Sequence, residues 1–289
     1  MNKSVVLAYD NVGQADRALA LAVWEAVDRG DALAIVRAHR LGRWTAQPPE
    51  GTTEPLVAWR DSVGEALEQA VAAVRARRPG LPVETRIVST TVPRVLAMAS
   101  EDAELVVVAE HARAVPGRGL LSALASGLLA EARCPVIVMR GASRPTQDRL
   151  LAAVDVEGSC EPVLAFGFEE ADRRGAELKV VNVWNEPPIH EYREGPERRH
   201  QMAQLKSSRQ DALDELVQNW RDKYPEVRVT VSVATGAIGD SLLRASTTAD
   251  LAVIGAARRG TDRVGVRVGP AAHTLLRRSA CPVALVPLG

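Results

Sequence analysis

Val5-Val6-Leu7-Ala8-Tyr9-Asp10 and Leu150-Leu151-Ala152-Ala153-Val154-Asp155 are two renderings of one pattern, an apolar run closed by an aspartate. The two aspartates stand 145 residues apart, and the correspondence continues outward from them. Arg29-Gly30-Asp31-Ala32-Leu33 returns as Arg174-Gly175-Ala176-Glu177-Leu178, again 145 residues on. Glu104-Leu105-Val106-Val107-Val108 returns as Asp250-Leu251-Ala252-Val253-Ile254, and Cys134-Pro135-Val136-Ile137-Val138 as Cys281-Pro282-Val283-Ala284-Leu285. Four landmarks in one order at nearly constant spacing indicate a duplicated domain. The period is far longer than the roughly 20–50 residues of a solenoid unit.

A chain of 289 residues suits two domains of ordinary size, each able to bury its own core. Aromatic residues make up only 3%, so those cores must be aliphatic. Lys and Arg number 36 and so do Asp and Glu, leaving no global field to attract nucleic acid or an anionic membrane. No apolar stretch reaches the roughly 18–20 residues that cross a bilayer, and no signal-like segment precedes the first apolar run. The expectation is a cytoplasmic protein. Cys134, Cys160 and Cys281 show neither a CxxC pair nor metal-ligand spacing and read as reduced structural thiols.

Each half alternates short β-branched runs with longer helical stretches, the pattern of parallel strands joined by crossover helices. In the first half strands are expected at 4–9, 32–36, 83–88, 105–109 and 136–139. Ala15, Leu19, Ala22, Val23 and Ala26 recur at helical spacing before Gly30, which stands where a left-handed cap belongs. The proline- and glycine-bearing stretch 41–55 reads as a loop, 56–77 as a helix, and further helices are expected at 93–100 and 120–132. In the second half strands are expected at 149–154, 178–183, 228–233, 251–255 and 283–286, with a long helix over 198–223. The domains are therefore 1–141 and 149–289, joined by a linker at 142–148.

Five strands with helices between, an aspartate ending the first strand and Cys-Pro-Val opening the fifth: both halves resemble the universal stress protein family. Val181-Asn182-Val183-Trp184, Ala99-Ser100-Glu101-Asp102-Ala103-Glu104 and Val268-Gly269-Pro270-Ala271-Ala272-His273 add to the likeness, which covers almost the whole chain. The resemblance implies two tandem Rossmann-like, doubly wound α/β domains, each with a five-stranded parallel sheet. It also implies pairing through the fifth strands. A tandem chain can satisfy that pairing internally as a pseudo-dimer, with homodimerisation of the whole chain the other arrangement open to it.

Family members that bind ATP carry Gly-x2-Gly-x9-Gly-Ser/Thr, in which glycines let the backbone approach phosphate and the next helix supplies free N–H groups. The first half reads Ala109, Ala112, Ser122 and Ala123 at those positions, with no glycine. The second half keeps Gly255 and Gly269, but Arg258 stands at the second position, Pro270 replaces the hydroxyl residue, and the spacing is one residue longer. Arg258, Arg259, Arg263 and Arg267 either contact phosphate in place of the lost donors or form a solvated face. By resemblance the cofactor contacts are Ala153, Asp155, Val183, Ile254, Gly255, Arg258 and Gly269, with Asp10 in the first half. The two aspartates face a nucleoside or cap the turn that follows.

His111 and His273 have no partner legible in the sequence, and neither a nucleophile elbow nor a Walker Gly-Lys-Ser/Thr is present. The expectation is a non-enzymatic stress regulator binding adenine nucleotide, as ATP, weakly in its second domain. The competing expectation is a scaffold for an unknown protein partner in which both sites have decayed.

Overall fold

A computed structural model describes residues 4–9, 15–38, 54–88, 97–109, 132–142, 144–184, 196–257 and 268–288. The chain forms two compact units, Met1–Met139 and Arg140–Gly289. The first holds β1 (Ser4–Ala8), α1 (Ala15–Arg29), β2 (Ala32–Ala38), α2 (Glu54–Arg77), β3 (Val83–Val88), β4 (Leu105–Ala109) and β5 (Val136–Met139). Its strands lie side by side in the order β3-β2-β1-β4-β5, every pair parallel. The second holds β6 (Arg149–Val154), α3 (Glu161–Arg174), β7 (Glu177–Trp184), α4 (Pro196–Lys223), β8 (Val229–Thr235), α5 (Ile238–Ser246), β9 (Leu251–Ala257), α6 (Pro270–Arg278) and β10 (Val283–Leu288). Its order is β8-β7-β6-β9-β10, again all parallel. Equal order on equal spacing is the duplication realised in three dimensions.

The central strands are apolar because helices cover both faces, and all five residues of β4 are buried. α1 buries Ala18, Leu19, Ala22, Val23 and Ala26, and α3 buries Val163, Leu164, Phe166, Phe168 and Ala171, each set one helical stripe wide. Both helices end alike. Gly30 and Gly175 adopt left-handed φ of 72° and 58°. In each case the next residue, Asp31 or Ala176, donates its N–H back to Ala26 or Ala171 at 2.9 Å. Each helix also carries a fully buried glutamate answered by an arginine one turn on: Glu25 with Arg29 at 3.1 Å and Glu170 with Arg174 at 2.9 Å. Buried Ser100 and Ser246 play matched roles. Each hydroxyl donates to a carbonyl three residues back at 2.7 Å and accepts an N–H from the turn before the fifth strand, of Arg133 or Ala280.

Two strands run past their expected ends. β7 extends to Trp184, opposite Thr235, and β9 to Ala257, opposite Leu288, because pairing with the neighbouring strand continues there. Glu54 and Pro55, expected in a loop, begin α2, since proline suits a first helical turn. Pro196 begins α4 in the same way, and of the helix expected over 93–100 residues 97–99 are described and are helical. The helix expected over 120–132 lies almost wholly outside the described residues.

The segment expected as a linker is tied down. The Arg144 guanidinium donates to the carbonyls of Ser246, Thr247 and Ala249, the frayed end of α5. Asp250 accepts from the Thr146 hydroxyl at 3.0 Å and from the N–H groups of Gln147 and Arg149 at 2.9 and 3.2 Å. Gly141, at φ 72°, lies so close to the Ala280 carbonyl that a Cβ would collide with it.

Candidate functional site

From β6 the second unit builds outward through β7 to β8, then returns to place β9 on the other flank of β6. That reversal opens a crevice at the carboxyl ends of β6 and β9, where open α/β sheets bind ligands. A cavity of about 690 Å³ occupies the crevice, within the range of small-molecule sites. Ala153, Asp155, Val183, Ile254 and Gly255 all line it. The register explains the convergence, since Ala153 pairs with Val181 on one side and Ile254 on the other.

Asp155 is exposed at the end of β6. Its Oδ1 accepts the Glu157 N–H at 3.1 Å, closing the turn into α3, while its Oδ2 has no protein partner among the described residues. Cys160 also lines the cavity, at the N-cap of α3. Burial pushes its thiol up, with Glu161 and Asp155 adding to the effect, so it stays protonated rather than nucleophilic at neutral pH. Among the described residues no group of three or more His, Cys, Asp or Glu side chains converges as a metal would require.

The two retained glycines differ in their reasons. A Cβ at Gly255 would lie 2.7 Å from Leu288 Cδ1, so glycine there makes room for a side chain of β10 that also lines the cavity. Gly269 is the N-cap of α6 at φ −60° and ψ 159°, and a Cβ there would meet nothing within 4 Å. Among the described residues no side chain caps α6, and Ala271 brings its first turn to the cavity wall. Pro270 at the first position contributes no N–H. Arg258 and Asp10 lie outside the described residues, as do Arg259, Arg263, Arg267, His111 and Ser122.

Three further residues of this wall were not singled out in the sequence as contacts. The Arg209 guanidinium of α4 lies 5.0 Å from the centroid of the Trp184 ring and pairs with Glu157, tying α4 to the β6–α3 turn. Trp184 is buried, and its Nε1 is sealed from solvent without a hydrogen-bond partner among the described residues. The signal available in the sequence was Trp184 closing an apolar strand. Its partner, Arg209, comes from a polar helix 25 residues on, which no spacing rule connects to it.

No helix of the described residues is long and apolar enough to cross a membrane. The family model described as "Universal stress protein family" matches twice, over residues 1–140 and 147–287. A universal stress protein of Mycolicibacterium smegmatis is 30% identical over 98% of this chain and 96% of its own length. One from Mycobacterium tuberculosis is 29% identical over 96% of this chain and 95% of its own. Among solved structures, a universal stress protein from Archaeoglobus fulgidus superposes with a TM-score of 0.67 over 99% of this chain and 96% of its own, at 15% identity.

Proposed function

Since the chain belongs to the universal stress protein family as a tandem two-domain member, we propose that it is a cytoplasmic regulatory protein, not an enzyme, whose second domain binds an adenine nucleotide weakly. The observation that carries this reading is the cavity at the β6–β9 crevice with the first turn of α6, which no side chain caps among the described residues, on its wall. Such a turn offers backbone N–H groups and the positive end of a helix dipole to an anion. Asp155, with one oxygen unengaged, suits a ribose hydroxyl or base donor at the other end. Binding is weak because Pro270 removes one N–H and no side-chain hydroxyl follows Gly269. Occupancy would act by favouring one arrangement of the surrounding loops, the output being read by a protein partner.

One observation favours the alternative of a scaffold without nucleotide. Leu288 packs on Gly255, placing an apolar side chain where the resemblance asks for an open backbone.

Calorimetric titration with ATP decides between them. Wild type should bind with Kd tighter than roughly 1 mM, about −4 kcal/mol. Gly269→Val should abolish this without harming the fold, because the backbone angles suit a β-branched residue and its Cβ meets open space. Arg258→Ala should weaken ATP more than adenosine. Absence of binding by wild type removes the nucleotide reading and leaves the scaffold.

A further inference from the structure

On the face of the second sheet beneath α5, a groove of about 340 Å³ runs along β7 and β8. Lys179 and Ser232 form its floor, Thr235 one end, and Ser241, Arg244 and Thr248 its helical wall. Two cations and four hydroxyls line it, and none of its lining residues carries a carboxylate. Lys179, only half-exposed on an inner strand, makes no ion pair or hydrogen bond among the described residues. Arg244 spends one N–H on the Ser241 hydroxyl at 3.0 Å and keeps the rest of its fork. Glu177, the acid two residues before Lys179 on the same face, is engaged by Arg149 at 3.0 Å and Thr230 at 3.1 Å.

The first domain supplies an internal control. Ala34 in β2 lies beside Val6 as Lys179 in β7 lies beside Leu151, and Ala34 is buried. Met98 precedes Ser100 by two residues as Arg244 precedes Ser246, and the two serines make the same bonds. Alanine and methionine in one copy are thus lysine and arginine in the other, on a frame that otherwise matches. A half-buried ammonium without a counter-ion costs stability, and an anion in the groove would offset it.

We propose that this groove is a second binding site, taking a small phosphate-bearing anion. Lys179 supplies a point charge, Arg244 a planar fork, and the hydroxyls the remaining donors to a group with several oxygens. The site does not depend on the nucleotide reading, although it meets the larger cavity along Val181 and Val183.

Pyrophosphate titrated into the full chain, followed by calorimetry and by amide NMR, tests it. Saturable binding should shift the amides of Ser232, Thr235, Ser241 and Arg244, and should weaken with added salt. Lys179→Met and Arg244→Gln should each reduce affinity roughly tenfold, the loss expected of one charge-assisted hydrogen bond, whereas Met98→Gln should change nothing. Arg244 is exposed, so its variant keeps the test valid if Lys179→Met misfolds. The proposal is overturned by no saturation up to about 10 mM, by indifference to both variants, or by shifts confined to Asp155, Gly255 and Ala271. That last pattern would assign the anion to the nucleotide cavity. Pyrophosphate binding without ATP binding leaves this site standing and removes the nucleotide reading.

Discussion

In the first domain Glu25 sits buried against Arg29; in the second, Glu170 sits buried against Arg174. Elsewhere in the two folds, Ala34 and Met98 of one domain answer to Lys179 and Arg244 of the other. The contrast separates two kinds of position. A buried carboxylate cannot lose its arginine without leaving a charge unpaired, so that pair is the same in both copies. The Ala34/Lys179 and Met98/Arg244 positions carry no such pair, and there the copies have parted.

The comparison is sharpest where its expected effect is largest. Arg29 is 5% exposed, against 18% for Arg174 and 26% for Arg173, so the first-domain pair is drier. Glu25→Ala should cost about 3–4 kcal/mol and Glu170→Ala about 2 kcal/mol, measured by urea unfolding. Equal losses would break the distinction. Gly141→Ala comes next, at about 3 kcal/mol, because a left-handed backbone and a collision with the Ala280 carbonyl act together. Gly175→Ala, left-handed but with open space around it, should lose only about 1 kcal/mol. Ser100→Ala and Ser246→Ala should each cost about 1 kcal/mol, and similar values in both would confirm that the serines do one job twice.

The smallest effect concerns the thiols that open the fifth strands. Burial, with Glu104 adding, pushes Cys134 from 9.0 up to about 12. A raised folded value contributes stability that is complete below the unfolded pKa and lost as pH climbs through the window from 9 to 12. The loss at pH 9 should be about 0.4 kcal/mol, and Cys134→Ala should flatten that limb of the stability–pH profile. An unchanged slope would show that the thiol does not titrate there.

Both the repeat and the positions of the strands were legible because buried parallel strands leave continuous apolar runs that repeat with the domain. The strand-end residues Ala153, Asp155, Val183, Ile254 and Gly255 were named together by the family resemblance, and they line one cavity because a doubly wound sheet brings its carboxyl ends together. The reason for Gly255 was not legible. Its neighbour Leu288 is 33 residues away in sequence, and only the β9–β10 register shows that a side chain lies there. Arg209 was not legible either, since a cation stacked on an indole leaves no periodic trace. Lys179 carries no signal in its own strand, and only the registers that set it beside Leu151 as Ala34 lies beside Val6 bring out the difference between the copies.

The pinned segment ahead of β6 bears on how the gene for such a protein can be divided or fused. Thr146, Gln147 and Arg149 converge on Asp250, Arg144 closes the end of α5, and the Arg140 guanidinium donates to the Arg277 carbonyl at 2.6 Å. A fragment starting at Arg149 would discard the brace that finishes its own second half, exposing the α5 carbonyls and the Asp250 carboxylate. Recombination or truncation that respects the fold must cut before Arg140, so that what looks in sequence like a tether travels with the domain it introduces.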